Sequence, residues 1–468
     1  VIALTLAEVA AATGGRLADV TDPQTPVTAP VVIDSRQVQP GGLFAAFAGE
    51  HVDGHDYAER AIAAGAVAVL AERPVGVPAI VVEDAQAALG LLARAVAERA
   101  KAVRIVALTG SAGKTSTKDL IAQLLQKLGP TVWTEGSLNN ELGLPQTVSR
   151  VEESTRHLVL EMGARHQGDI AYLTGLVRPA IGLVLNVGTA HLGEFGSKEG
   201  IAQAKGELVE SLAEDGVAVL NADDPLVRAM RTRTKARVVL FGESRDADVR
   251  ATDVRLDATG KPSFTLTTPA GSAPVRLRLY GEHHVSNALA AAAVAMELGL
   301  SVDDTAAALG EAGALSRWRM EVVDRADGVT VVNDAYNANP ESMRAALRAL
   351  VTMGGRGPER RRTWAVLGEM RELGEESLDE HDAIGRLAVR LDVTKLVAVG
   401  GREAACMELG ARNEGSWGEE SVLVSDADAA VELLRGQLLP GDVVLVKASR
   451  SVGLEKVAEA LLADGAAQ

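Results

Sequence analysis

The feature that most constrains this chain is residues 103–121, VRIVALTGSAGKTSTKDLI. The run VRIVALT is apolar and β-branched, as a buried parallel strand should be, whereas Leu120, Ile121, Leu124 and Leu125 recur at helical spacing. The spacing predicts a strand that turns at once into a helix. Gly110 and Gly113 let backbone N–H groups close on an anion at the helix N-terminus, where unpaired donors and the helix dipole favour negative charge. Gly110, Ser111, Ala112, Gly113, Lys114, Thr115 and Ser116 are therefore a candidate phosphate site. In it Lys114 reaches the terminal phosphates and the Thr115 hydroxyl ligates Mg²⁺. The usual pattern, G-x-x-x-x-G-K-[ST], has Gly where this chain has Leu108, so the turn is a shortened variant. The bland alternative is a Gly-rich turn with a solvated lysine.

A chain of 468 residues is too long for one core and suggests about three domains. Aromatic residues make up only 3%, so the cores must be built from Ala, Val and Leu. A net charge of -16 argues against nucleic acid or an anionic membrane surface as the main partner, and an anionic substrate would need local basic pockets. No apolar run reaches about 18 residues, and the N-terminal stretch lacks a basic n-region, so neither a membrane span nor a signal peptide is expected. The single cysteine, Cys406, fits a reducing cytoplasm and reads as a small buried hydrophobe on a helix.

Residues 1–99 alternate short strands with Ala-rich helices and carry polar Asp34, Ser35, Arg36 and His55 at strand ends or loops. Residues 100–316 alternate strands (RIVALT, HLVLEM, IGLVLNV, VAVLNAD, RVVLFG) with helices, which predicts a mostly parallel sheet covered on both faces. A β-rich insert is expected at about 247–280, with FTLTTPAGSAPVRLRL as a hairpin. Residues 317–468 alternate again and predict a second doubly wound sheet, with ligands beyond the carboxyl ends of its strands.

Several polar residues fall just after apolar strands. Glu161 ends HLVLE, and His191 follows IGLVLNVGTA by a short loop. Alone, each reads as a structural polar residue; with Thr115 they supply the oxygen and imidazole groups of a magnesium site beside bound phosphates. Lys205, in AKGELV, sits on the helix after that loop. Near metal ions its amine would be pushed neutral and could add CO₂ to form a carbamate, or it is a surface lysine. In VVNDAYNANPESM a strand runs into Asp334, which could bind ribose hydroxyls, followed by Tyr336, Asn337 and Asn339. The same segment also reads as an Asn-Pro turn with a helix cap. Lys447, Ser449 and Arg450 follow the last strong strand, as a carboxylate site or a solvated basic loop.

Together, TGSAGKTS, SLNNELGLP, EMGARHQGDI, NVGTAHLGEFGS, AKGELV, GEHHVSNALAA, NDAYNANPESM, LGEMRELG and LVKASRS resemble the Mur ligases in family order over essentially the whole chain. These are ATP-dependent amide-forming enzymes of bacterial cell-wall precursor synthesis. DAYNANP, EMGARHQGDI and DSRQVQPGGLFAAFAGE point, within the family, to the member that adds a dipeptide. The resemblance implies an α/β chain of three domains. Residues 1–99 would form a small UDP-sugar-binding domain, 100–316 a P-loop ATPase-like parallel sheet with the β-rich insert, and 317–468 a Rossmann-like domain for the incoming dipeptide.

The resemblance further implies ATP at the turn, a first Mg²⁺ at Thr115, and a second at Glu161, His191 and a carbamylated Lys205. It makes Asn287 an adenine contact, Asp334 a ribose contact and Arg319 a phosphate contact. Asn139 and Asn140 would lie near the UDP-sugar, Asp34, Ser35 and Arg36 in the uridine pocket, and Tyr336, Asn337, Asn339, Lys447, Ser449 and Arg450 on the substrate side. Two departures stand out. His283-His284 replaces the His-Asn of many relatives, and SRW replaces the Pro-Gly before Arg319, which makes Arg317 a rival for the phosphate contact.

The implied substrates are UDP-MurNAc-tripeptide and D-alanyl-D-alanine, joined through an acyl phosphate in the cytoplasm by a monomer. Two alternatives remain. One is the sister ligase adding the third peptide residue, which usually carries a DYAHTP-like segment and a DNPR motif absent here. The other is an ATP-switched binding protein, which would need no second metal.

Overall fold

The computed structural model describes residues 1–49, 52–189, 192–355, 357, 359–416 and 418–466. Three parallel-rich sheets carry the chain, each built where apolar, β-branched runs alternate with Ala- and Leu-rich helices. The first holds Val31–Val32, Leu43–Ala45, Ala68–Ala71 and Ala79–Val81 in parallel, with Arg16–Ala18 antiparallel at one edge. The strand read from VVIDSR is only two residues long. Asp34 ends it by accepting the Arg36 N–H at 2.9 Å and capping a 3-10 turn, Ser35–Gln37.

The central sheet has nine strands. Seven run parallel in the order Val249–Leu256, Arg237–Gly242, Val217–Asn221, Ile181–Val184, Arg104–Thr109, His157–Glu161, Thr131–Trp133. The expected β-rich insert is not a separate body. Val249–Leu256 pairs onto Arg237–Gly242, and Pro262–Thr268 and then Gly271–Arg276 follow antiparallel beyond it, extending the same sheet, the last two as the expected hairpin. One face is covered by helices Lys114–Gln126, His284–Glu297 and Val302–Glu311, whose Leu and Ala residues form a continuous core.

The other face meets a core that does not stop at the first domain. Leu89, Leu92 and Val96 of helix Ala85–Arg99 pack in one apolar cluster with Leu144, Val148, Leu173 and Leu176 of the central domain and with Leu6, Val9 and Ile80 of the first. Backbone bonds cross the same junction, Ile2 N–H to the Val151 carbonyl at 2.7 Å among them.

The third sheet runs Glu321–Asp324, Thr330–Asn333, Val443–Lys447, Thr363–Gly368, Lys395–Val399, Ser421–Val424, parallel except for the first strand. It has its own apolar cluster on each face. Helix Pro340–Gly354 starts where Asn339 and Ser342 form a capping box with Pro340 in the first turn, so the cap reading of the Asn-Pro segment is right. Such a cap is worth about 1 kcal/mol. Cys406 lies on a helix, as expected, but is half-buried rather than enclosed.

Candidate active site

Strand Arg104–Thr109 is where the winding of the central sheet reverses, and a crevice opens there beyond the carboxyl ends of the strands. The turn Gly110–Gly113 stands in that crevice. Gly113 has φ 80°, and a Cβ on it would come within 2.6 Å of Asn287 Oδ1. Gly110 would place a Cβ 2.8 Å from that of Leu185. Only glycine fits both positions.

A residue the sequence reading passed over holds the turn. The Ser111 and Ala112 N–H groups donate to Asn186 Oδ1 at 3.0 and 2.8 Å, while Asn186 Nδ2 donates to the Ala112 carbonyl at 3.0 Å. Its position two residues after strand Ile181–Val184 was the available signal. Lys114 Nζ donates to the Gly110 carbonyl at 2.8 Å. Burial pushes its ammonium below the ordinary lysine value; Glu161 counteracts this and Arg319 adds to it.

Glu161 is buried, with Oε1 accepting from Asn139 Nδ2 at 2.8 Å and Oε2 left without a partner among the described residues. Thr109 Oγ1 and Ser111 Oγ, on the strand end and turn beside it, are likewise buried and unpartnered. Native interiors rarely leave such groups unsatisfied, so the crest of these strands is built for a polar ligand. Lys205, on helix Lys198–Glu210, is buried at 3% exposure, with no hydrogen bond or ion pair among the described residues. Burial first, then repulsion from Lys114, holds it well below the lysine range. His191 lies outside the described residues. The buried free oxygen of Glu161 and the Thr115 hydroxyl are oxygen donors of the kind Mg²⁺ takes, whereas the Lys205 amine as it stands is not one.

The third domain is docked over this crest. Arg319 Nη2 donates to Thr115 Oγ1 at 3.1 Å, and its guanidinium lies 4.2 Å from the centroid of the Tyr336 ring. Asn339 Nδ2 reaches the Ser111 carbonyl at 3.2 Å, Tyr336 OH meets Ser137 Oγ, and Glu341 Oε1 accepts the Thr189 N–H and hydroxyl at 2.9 and 3.0 Å. Glu341 and Thr189 are a contact that spacing alone could not reveal, because it joins residues 152 apart. Arg317 instead pairs with Glu459 and stacks on Trp318, away from the turn.

Other expected residues are placed differently. Lys447, read as facing a carboxylate substrate, is buried and donates to Asp334 Oδ2 at 2.6 Å and to the Asn337 carbonyl at 2.9 Å. Asp334 also accepts the Met320 N–H at 3.0 Å, so Lys447 ties the NDAYNANP loop to its own strand and Asp334 ties it to the linker. Ser449 is buried and accepts the Arg371 N–H at 2.9 Å; Arg450 pairs with Glu455 and covers Trp318. Asn140 caps the Gly143 N–H at 3.0 Å and Asn337 is exposed.

In the first domain, Asp34 and exposed Arg36 pair with each other beside buried Ser35, and His55 bridges Asp53 and the Glu72 N–H. Around the turn, His283 is held near pH 4 by burial, with Asp334 opposing the shift and Lys447 adding to it. Buried His284 lies against it at 4.2 Å between ring centroids.

A P-loop-like turn on a doubly wound sheet, with a second α/β sheet closed over it from a separate domain, defines an α/β enzyme of the ATP-using, domain-closing class. The chain belongs to the Mur ligase family. It matches the family's catalytic domain over residues 29–107, its middle domain over 108–295 and its glutamate ligase domain over 318–450.

A UDP-N-acetylmuramoyl-tripeptide--D-alanyl-D-alanine ligase of Mycobacterium tuberculosis (strain ATCC 25618 / H37Rv) is 52% identical, covering 99% of this chain and 98% of the relative. The crystal structure of MurF from Acinetobacter baumannii superposes with TM-score 0.87 at 34% identity, covering 98% of this chain and 99% of that one. That of MurF ligase from Thermotoga maritima in complex with ADP gives TM-score 0.80 at 31% identity, covering 94% and 99%.

Proposed function

We propose that this chain is an ATP-dependent amide ligase that joins D-alanyl-D-alanine to UDP-MurNAc-tripeptide, giving UDP-MurNAc-pentapeptide, ADP and phosphate for peptidoglycan synthesis in the cytoplasm. The observation that carries the reading is the closure of the third domain on the phosphate turn through Arg319 and Asn339, together with 52% identity over the whole chain to ligases of that name.

Joining a carboxylate to an amine is uphill in water until the carboxylate is made electrophilic. The tripeptide carboxylate attacks the γ-phosphorus of ATP, ADP leaves, and an acyl phosphate forms. Two anions must approach for this, and Lys114 and Arg319 offset their repulsion. Mg²⁺, held by Thr115, Glu161 and a carbamylated Lys205 together with His191, would supply further charge stabilisation. The amine of the dipeptide then attacks the acyl carbon and phosphate is expelled. Closure through Asn339, Tyr336 and Glu341 keeps water from the acyl phosphate.

Asn287 and His283 stand on the side of the turn where the adenosine would lie, with Asp334 for the ribose. The first domain, residues 1–99 with Asp34, Ser35 and Arg36, takes the uridine end; Asn139 lines the path between.

The test is phosphate release with ATP, Mg²⁺ and UDP-MurNAc-tripeptide, with either the dipeptide or single amino acids as second substrate, and the product weighed. Release that requires the dipeptide, with a product heavier by the dipeptide less water, supports the assignment. Turnover only with a single amino acid moves the chain to a sister ligase. For Lys205, the Lys205→Ala variant should be inactive and partly restored by a short carboxylic acid; full activity without one would exclude the carbamate.

A further inference from the structure

The linker between the central and third domains runs along the helix that carries the phosphate turn. Thr115, Asp119 and Gln123 are polar residues four apart on helix Lys114–Gln126, one turn after another along one side. Gln123 grips Gly313 with both ends of its amide: Nε2 donates to the carbonyl at 2.9 Å, and Oε1 accepts the N–H at 3.0 Å. Asp119 Oδ2 accepts the Ser316 N–H at 3.0 Å, and its carboxylate pairs at 2.9 Å with buried Lys118. Thr115 then receives Arg319. Linker residues 313, 316 and 319 are thus held in turn by helix residues 123, 119 and 115, antiparallel. Each step advances about 6 Å along the helix, which three linker residues span without being fully stretched.

The end of this track is strained. Trp318 and Met320, on either side of Arg319, have φ of 58° and 50°, a region bulky L-residues avoid. Such backbone persists only where its surroundings over-determine it. From the third domain, the Tyr336 N–H donates to the Trp318 carbonyl at 3.2 Å and Asp334 accepts the Met320 N–H at 3.0 Å. From the central domain the hold is Gln123 and Asp119.

We infer that Gln123 and Asp119 are positioning residues for phosphoryl transfer: by fixing Gly313 and Ser316 to the turn's own helix, they set where the Arg319 guanidinium meets Thr115. Their role rests on the phosphate-contact reading of Arg319 given above. An error of about 1 Å at such a contact is enough to cost about 100-fold in rate.

The test is a double-mutant cycle of Gln123→Leu, which removes both hydrogen bonds at similar volume, with Arg319→Lys, which keeps the charge but loses the fork. Phosphate release and calorimetric affinity for a non-hydrolysable ATP analogue are read for all four proteins, the second readout being independent of turnover. Gln123→Leu should lower kcat about 10- to 100-fold and analogue affinity three- to tenfold, with KM for the dipeptide within threefold and the thermal midpoint within a few degrees. In the Arg319→Lys background it should change either quantity less than twofold. Equal effects in both backgrounds, or wild-type values for Gln123→Leu, overturn the positioning role. Wild-type values for Arg319→Lys alone overturn instead the reading of Arg319 on which it rests.

Discussion

Gly113→Ala tests the phosphate turn, and Gly168→Ala is its internal control. Gly168, at φ 94°, has nothing within 4 Å of where a Cβ would stand, so its substitution reports the left-handed backbone cost alone, about 1–2 kcal/mol. Gly113, at φ 80°, carries the same cost plus a Cβ placed 2.6 Å from Asn287 Oδ1. Relieving that contact means swinging the Asn287 amide away or moving the turn, and overpacking of this kind adds about 1–3 kcal/mol. Gly113→Ala should therefore lose about 2–5 kcal/mol in urea unfolding, against about 1–2 for Gly168→Ala, with equal m-values. Calorimetry should also show ADP affinity reduced at least tenfold for Gly113→Ala and unchanged for Gly168→Ala. If the two variants lose the same stability and bind ADP alike, Asn287 does not pack on the turn as described.

Removing both hydrogen bonds that Glu341 accepts from Thr189 with Glu341→Ala should weaken the closed state by about 2 kcal/mol. Small-angle scattering should then show a larger radius of gyration; an unchanged curve refutes the latch. Arg319→Ala should cost about 100-fold in kcat/KM for ATP, whereas Arg317→Ala, whose guanidinium faces Glu459, should stay within about threefold; the reverse order refutes the assignment. Burial keeps His284 neutral well below the pH at which an unfolded histidine charges, about 6.5, with His283 adding to the effect. As pH falls below that value the unfolded chain binds a proton that the folded one does not, so stability drops by about 1.4 kcal/mol per pH unit. His284→Asn removes this slope and should spare about 2 kcal/mol between pH 6.5 and 5 in urea titrations; parallel curves for the two proteins refute it.

The sequence carried the strand-turn-helix, the parallel alternation and the hairpin, because each is a short-range pattern of apolar period or glycine position. It also marked Glu161, Lys205 and Arg319, which follow strands or stand in family motifs and do converge on the turn. What it could not carry was which polar groups satisfy one another. Lys447 reads as a free cation in LVKASRS but is spent on Asp334, 113 residues away. Asn186 reads as a loop residue although it holds the turn, and Asp119 and Gln123 read as ordinary helix polars although they grip a linker 190 or more residues on. The strain at Trp318 and Met320 has no local signature either, since nothing in SRWRMEV demands positive φ; the flanking domains impose it.

The apolar cluster shared by helix Ala85–Arg99, the first sheet and the central domain makes those two parts a single cooperative unit. The third domain builds its two clusters from its own residues, with only Tyr280 of the central domain packed against one of them, and is joined through the strand-free stretch around Gly313–Arg317. Calorimetry should accordingly resolve two melting transitions rather than three. Limited proteolysis should release two stable fragments divided near that stretch, so that a chain cut after Arg99 would leave neither half folded.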